Sequence, residues 1–207
     1  MQNVNQQVWR ILSKNISIQK DLQRGIINIR GLAKMLIKDY HIKASLDSVI
    51  NSINRFESHI ELQEDVVSSV LKGAKVMTRS NVSCVILKIS SKVNTIFSHK
   101  LMEEVVFSRM PDVANIIGET EKINKIISLV DKENILNHKN NLSEIRIVMS
   151  KGAVETKGTL AKMVNELYAL NINLEEMIVS VPNFNIYVKN SDFIKAHEAI
   201  VEITAIE

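Results

Sequence analysis

The chain has 207 residues, of which 45% are hydrophobic and 24% are charged, as in ordinary globular proteins with room for two or three small domains. The net charge of +3 is small, and a single cysteine excludes an intramolecular disulfide. No apolar run approaches the roughly 20 residues that a membrane span needs, and the first residues lack the basic and apolar regions of a signal peptide. We therefore expect a cytoplasmic protein without membrane contact.

Residues 1–58 are predicted to form an all-helical module. Apolar residues recur there at helical spacing, and no segment shows the alternation of a strand. Ser17 can cap the second helix, Gly25 is suited to end it, and Ser45 can open the fourth. The four predicted helices cover residues 4–14, 17–24, 28–40 and 45–56. The residues of the third helix that are predicted to point inward are Leu32, Met35, Leu36 and Tyr40.

The third and fourth helices, joined by residues 41–44, have the layout of a helix-turn-helix. Residues 1–58 are also the basic part of the chain, with nine Lys and Arg against four Asp and Glu, which indicates an acidic partner such as DNA. Asn side chains can bind adenine, and Arg can bind guanine or a phosphate. The predicted nucleic-acid-binding residues are Lys43, Asn51, Asn54 and Arg55. The alternative, an interaction or dimerisation module whose basic residues only face solvent, stays open.

The middle of the chain is predicted to contain a connecting helix and a mixed unit. The helix covers residues 59–73 and ends at Gly73, and the unit covers residues 74–137. Within the unit we predict strands at 75–78 and 82–90 separated by a hairpin turn at 79–81, then a helix at 95–107, a strand at 113–117 and a helix at 119–129. Cys84 lies in an apolar run and is predicted to be a buried small hydrophobe. The polar residues 138–141 predict a linker and a domain boundary.

Residues 143–207 predict a small antiparallel sheet with two helices on one face. A strand at 145–149 precedes a helix at 159–170, on which Leu160, Met163, Val164 and Leu167 share one side. Two strands with alternating apolar residues follow, at 174–181 and 184–189, and Pro182 and Asn183 between them favour a turn. An amphipathic helix from about residue 193 closes the chain.

The last unit resembles the ACT domain, an amino-acid-sensing module with the element order βαββαβ, and most closely the regulatory half of aspartokinases. The matching pieces are the strand 145–149, the segment TKGTLA at 156–161 that opens the helix, and NIN at 171–173 before the second strand. Residues 25–34 and 45–55 also resemble the helical region of archaeal ACT-domain proteins regarded as regulators of amino-acid metabolism. The expected fold class is α+β, with a helix-turn-helix-like module followed by two ferredoxin-like ACT-type units. Residues 74–137 form the divergent first unit, and residues 143–207 form the ACT domain.

A ligand site is predicted where the strand 145–149 leads into the following helix. Glycine there lets the backbone approach a ligand closely, and the first-turn N–H groups with the positive end of the helix dipole suit an amino-acid carboxylate. The resemblance adds the residues that open the second strand, which in ACT domains contact ligand in the facing copy of a dimer. The predicted ligand-binding residues are Thr156, Lys157, Gly158, Thr159, Asn171, Ile172 and Asn173. The alternative, in which the glycines only satisfy turn geometry and 171–173 is a helix cap, stays open.

Catalytic and metal-binding patterns are absent from the sequence. The five histidines show no metal-ligand spacing, and no phosphate-binding glycine loop or nucleophile elbow occurs. The acidic pairs Glu103-Glu104 and Glu175-Glu176 are predicted to be solvated surface. We therefore predict no enzyme activity, no cofactor and no metal.

The predicted function is a regulator that binds a small amino acid, forms a homo-oligomer, most simply a dimer, and acts through a DNA-binding N-terminal module. The alternative is an ACT-type scaffold or regulatory subunit that assembles with itself or with an enzyme and does not bind DNA.

Overall fold

The computed structural model describes residues 3–57 and 64–205 and divides the chain into two compact units, Met1–Gln63 and Glu64–Glu207. We call them the helical unit and the sheet unit. The first residues of the predicted connecting helix, 59–63, lie outside the described residues. None of the described helices is long and apolar enough to cross a membrane.

The helical unit contains the four helices that the sequence predicts. They are α1 Val4–Leu12, α2 Ile16–Gln23, α3 Ile29–Asp39 and α4 Leu46–Glu57. Asn15 rather than Ser17 caps α2, since its side chain accepts a hydrogen bond from the Ile18 N–H. On α3 the buried stripe passes through Leu32, Ala33 and Leu36, so the prediction that Met35 and Tyr40 point inward is wrong.

Residues 64–205 of the sheet unit form six helices and six strands, with short 3-10 turns at Lys100–Glu104 and Lys132–Asn134. Its helices are α5 Glu64–Leu71, α6 Ser91–Ile96, α7 Thr120–Ser128, α8 Lys151–Glu155, α9 Thr159–Ala169 and α10 Phe193–Thr204. Its strands are β1 Lys75–Lys88, β2 Val106–Arg109, β3 Val113–Glu119, β4 Ile135–Val148, β5 Glu176–Ser180 and β6 Asn183–Lys189. The strands form one antiparallel sheet in the order β2-β3-β1-β4-β6-β5.

Two interleaved repeats share this sheet. β1 and β4 have 14 residues each and pair with one another from Lys75↔Val148 to Leu87↔Ile135. The part of β1 that pairs with β3 is residues 82–88, and the part of β4 that pairs with β6 is residues 142–148. We call residues 82–141 the first repeat; the second repeat is residues 142–204 together with the strand half 75–79. The first repeat therefore has the chain order βαββαβ. The second repeat has the same strand order in the sheet, but its last strand, 75–79, precedes the first repeat in the chain, so each long strand serves both repeats.

An internal sequence repeat marks this arrangement, although the sequence predictions did not include it. NVSCVILKIS at 81–90 and NLSEIRIVMS at 141–150 share the first Asn, the Ser two residues later, alternating apolar residues and the last Ser. The two Asn have positive φ, 57° at Asn81 and 60° at Asn141, and lie near the middle of β1 and β4. The two final Ser both cap a helix, with Ser90 Oγ and Ser150 Oγ accepting from backbone N–H groups at 3.2 Å.

Three predictions about the middle of the chain are wrong, and all three concern strand pairing. Residues 79–81 form no hairpin and residues 138–141 form no linker, because they lie inside β1 and β4, which bond to each other across both segments. The helix predicted at 95–107 ends at Ile96, and Val106–Arg109 instead pairs with β3 as β2. β2 therefore lies between α6 and β3, where the sequence predicts no strand.

The helices of the sheet unit pack on one face of the sheet. They form two separate hydrophobic cores there, one for each repeat. α5 contributes Val67 and Leu71 to the core of the second repeat, so it belongs to the sheet unit and is more than a connector. The other face of the sheet curls on itself. A third cluster there joins residues of the first repeat to residues of the second, and its buried members are Val82, Cys84, Ile117, Leu142 and Tyr187.

Candidate functional site

A cavity of about 510 Å³ lies where α8, the first turn of α9 and the β5–β6 hairpin meet. This volume is in the range of small-molecule sites. Three of the predicted ligand-binding residues line it: Thr156, Gly158 and Thr159. Lys157 is exposed and does not line the cavity.

One wall of the cavity is the start of α9. Gly158 is the N-cap residue with a φ of 92°, a conformation that L side chains rarely adopt, and it has no side chain with which to cap the helix. Its carbonyl accepts from the Lys162 N–H at 2.9 Å. The Thr159 hydroxyl is buried and donates to the Thr156 carbonyl at 2.9 Å, which holds the turn together. The first-turn N–H groups of α9 therefore remain as donors for an anionic group of a ligand.

The opposite wall is apolar. Val179, Val181 and Phe184 line it from the β5–β6 hairpin, with Val154 and Leu160 beside them. Val179 and Val181 are exposed, because β5 is the edge strand of the sheet and pairs only with β6. The cavity thus combines the N–H groups of a helix N-terminus with an aliphatic surface, and none of the described residues that line it is titratable. No group of His, Cys, Asp and Glu in the described residues could hold a metal ion.

The segment 171–173 lies at the other end of α9. Eleven helical residues span about 16 Å, so this segment does not reach the cavity of its own chain. Asn171 has a φ of 56° immediately after the helix, Ile172 is buried in the core, and Asn173 donates to Glu175 Oε1 at 3.2 Å. A role for these residues in ligand binding stays a prediction and requires a second copy of the chain.

The predicted nucleic-acid-binding residues are all exposed in the helical unit. On α4, Asn51, Asn54 and Arg55 have the i, i+3, i+4 spacing that places them on one side of the helix. Ser52 between them is buried, and its carbonyl accepts from Trp9 Nε1 at 3.0 Å. A role of these residues and of Lys43 in DNA binding stays a prediction.

A polar cluster between the two repeats is the feature that the sequence predictions missed. Glu175 and Glu176 are not solvated surface, since their side chains are 12% and 17% exposed and both lie beside Lys139 Nζ, at 3.4 and 3.1 Å. Burial lowers the pKa of Lys139, but the hydrogen bonds and charges of Glu176 and Glu175 outweigh it and raise the pKa above its ordinary value. No local pattern marks this burial, because only Glu176 of the pair lies in β5 and its partners Asn115 and Lys139 come from the first repeat.

Cys84 is buried in the same region, as the sequence predicts. Its thiol donates to Asn115 Oδ1 at 2.9 Å. Burial, reinforced by the charge of Glu176, raises the pKa of the thiol to about 12, so Cys84 stays protonated and is a poor nucleophile at neutral pH.

The sequence matches no family model and no curated protein. The structure is similar to solved structures of aspartate kinases and their regulatory subunits. The regulatory subunit of aspartate kinase from Thermus flavus aligns with a TM-score of 0.52 at 11% identity, over 64% of this chain and 99% of that chain. The ligand-free regulatory subunit from Thermus thermophilus gives 0.51 at 12% identity, over 64% and 99%.

The aspartate kinase from Synechocystis gives a TM-score of 0.53 at 13% identity, over 66% of this chain. The aligned part is only 28% of that kinase, so the similarity concerns a portion of the enzyme. At these identities the comparison describes the fold alone. The mixed α/β part of this chain, with its curled antiparallel sheet, is similar in fold to the regulatory subunits of aspartate kinase.

Proposed function

We propose that this chain is a non-enzymatic, amino-acid-responsive regulatory protein of the ACT type, which assembles with itself or with an enzyme. The observation that carries the proposal is the cavity beside α9, where a helix N-terminus faces an aliphatic wall. The similarity in fold to regulatory subunits of aspartate kinase supports a regulatory role.

The ligand would be a small aliphatic amino acid. Its carboxylate would accept hydrogen bonds from the first-turn N–H groups of α9, where the helix dipole favours negative charge. Its side chain would lie against Val179 and Val181. Regulation would follow by population shift, because a ligand that prefers one arrangement of the β5–β6 hairpin changes the proportion of that arrangement.

A second copy of the chain would complete the site. β5 is an edge strand with unpaired backbone groups, and its neighbouring apolar residues Met177, Val179 and Val181 are exposed. A homodimer formed along this edge would cover them. It would also bring the segment 171–173 of the second copy towards the cavity, which is the arrangement that the resemblance to ACT domains implies.

A thermal-shift measurement with the twenty amino acids tests this function. At least one aliphatic amino acid at millimolar concentration should stabilise the protein, by about 2.7 kcal/mol if its concentration is 100 times Kd. Ala161→Leu should abolish the stabilisation, because Ala161 lines the cavity and leucine would occupy the space. Ala169→Leu is the matched control, since Ala169 is exposed at the far end of the same helix. The absence of stabilisation by all twenty amino acids would contradict the proposal.

DNA binding through α4 is the alternative output, and retention on duplex DNA tests it. If α4 contacts DNA, retention should fall steeply with salt concentration and should be lost when Lys43 and Arg55 are both changed to Glu. A charge-reversal control, with half the change in net charge, is Lys151→Glu in the sheet unit, where an exposed Lys lies 3.9 Å from Glu155. Weak retention that the double substitution leaves unchanged would remove α4 from DNA binding and favour the regulatory-subunit function.

A further inference from the structure

The two faces of β5 contact different parts of the sheet unit. Side chains alternate along a strand, so Glu176 and Ile178 lie on one face and Met177 and Val179 on the other. Val179 lines the cavity beside α9. Ile178 packs instead on the cluster that contains Cys84 and Ile117 of the first repeat. A displacement of β5 therefore changes the cavity and the contact between the repeats together.

Glu176 binds the first repeat with both carboxylate oxygens. Oε2 accepts a hydrogen bond from Asn115 Nδ2 of β3 at 2.8 Å, and Oε1 accepts one from Lys139 Nζ of β4 at 3.1 Å. Lys139 also donates to the Glu175 carbonyl at 2.8 Å. We call this set of bonds, formed by Asn115, Lys139, Glu175 and Glu176, the clasp. Charge-assisted hydrogen bonds of this kind are the stronger ones in proteins.

The clasp acts on a strand that has few other fixed contacts. β5 has five residues, hydrogen-bonds in the sheet only to β6, and exposes Met177 and Val179. Val179 lies three positions after Glu176, which in an extended strand is about 10 Å. The bonds of Glu176 therefore determine where the first half of β5 lies against the first repeat, and the second half of the strand carries the cavity wall.

We propose that Glu176 is a positioning residue for the ligand cavity and that, through the clasp, the first repeat sets the affinity of the cavity in the second repeat. The affinity part of this inference rests on the proposed amino-acid binding. Coupling between sites is reciprocal, so a ligand that fixes β5 also tightens the contact of Glu176 with Asn115 and Lys139.

Amide hydrogen exchange of the full chain tests the clasp without a ligand. In Glu176→Ala the amides of 177–180 that are hydrogen-bonded to β6 should exchange about tenfold faster, as expected for the loss of charge-assisted hydrogen bonds. The amides of α10 should keep their rates, which a general loss of stability would not allow. Glu176→Gln, which retains an acceptor for Asn115 but loses the charge, should be intermediate. Glu166→Ala, which removes an ion pair with Lys162 on α9, is the control and should leave β5 unchanged.

Unchanged exchange in β5 of Glu176→Ala, or an equal increase in β5 and α10, would overturn the inference. If the alanine variant does not fold, Glu176→Gln provides the test: faster amide exchange in β5 than in the wild type supports the inference, and unchanged exchange overturns it. Any amino acid that stabilises the wild type should bind about tenfold more weakly to Glu176→Ala; equal affinity would overturn the coupling. If no amino acid binds the wild type, the proposed function fails, while local exchange in β5 still confirms or refutes the clasp.

Discussion

Replacing Glu144 by alanine is expected to lower the free energy of unfolding by about 3 kcal/mol. The Glu144 side chain is 2% exposed and lies 2.9 Å from Arg79 Nε and 3.2 Å from an Arg146 Nη. It also accepts a hydrogen bond from the Tyr187 hydroxyl at 3.1 Å. Its removal leaves a buried hydroxyl without an acceptor and two neighbouring guanidinium groups without a counter-charge. Both guanidinium groups keep partial access to water, which places the loss at the lower end of the range for buried pairs.

Urea or thermal denaturation of the variant measures this loss, and Glu121→Ala is the control. Glu121 forms a shorter ion pair, 2.7 Å to Lys125 Nζ, but the two side chains are 78% and 58% exposed. Water screens such a pair, so its removal should leave the free energy of unfolding nearly unchanged. A loss for Glu144→Ala as small as that for Glu121→Ala would mean that solvent enters the cluster and that the contact between β1, β4 and β6 is not buried.

Replacing Ile186 by alanine is expected to lower the free energy of unfolding by about 3 kcal/mol. Ile186 lies in the middle of β6 and is completely buried in the core of the second repeat. Its truncation removes apolar contact and leaves a cavity that the packed core fills only partly. Ile194→Ala on α10 removes the same atoms from a side chain that is 67% exposed, so it should change stability by less than about 0.5 kcal/mol.

The strands in which Ile186→Ala accelerates amide exchange show whether the two repeats share β1 and β4. Because β1 and β4 belong to both repeats, Ile186→Ala should also accelerate amide exchange in β3, which lies in the first repeat. Two ACT domains joined by a linker at 138–141 would behave differently. In that case exchange would increase in residues 142–204 only, with β3 still protected, and such a result would contradict the shared strands.

Local sequence determined the elements whose signals lie within a few residues. The four helices of the helical unit follow from apolar residues at helical spacing, and β6 follows from the alternation of Phe184, Ile186 and Val188. The start of α9 was also predictable, because Gly158 and the apolar stripe after it mark a helix boundary. The antiparallel strands of residues 143–207 and the two long helices on one face of them were therefore expected, whereas the strand half 75–79 that completes the second repeat was not.

Tertiary structure decided the elements that depend on distant partners. The Val106–Arg109 segment is a strand because β3 offers it backbone partners, and no periodic pattern within four residues could show this. Asn81 and Asn141 lie in polar segments that favour a turn, and both have positive φ. In the folded sheet each segment is instead an irregularity within a strand, because β1 and β4 continue to pair on both sides of it.

The candidate site likewise combines residues predicted from local sequence with residues that only the folded sheet brings together. Thr156, Gly158 and Thr159 were predicted from the local pattern at the helix start, and they do line a cavity. Its apolar wall comes from the β5–β6 hairpin, which only the folded sheet brings opposite α9. The burial of Glu176 was likewise unpredictable, since its partners Asn115 and Lys139 belong to the other repeat. A carboxylate on a strand can face either water or a distant partner. Glu176 faces a partner because the pairing of β1 with β4 joins the two repeats and brings Asn115 and Lys139 close to it.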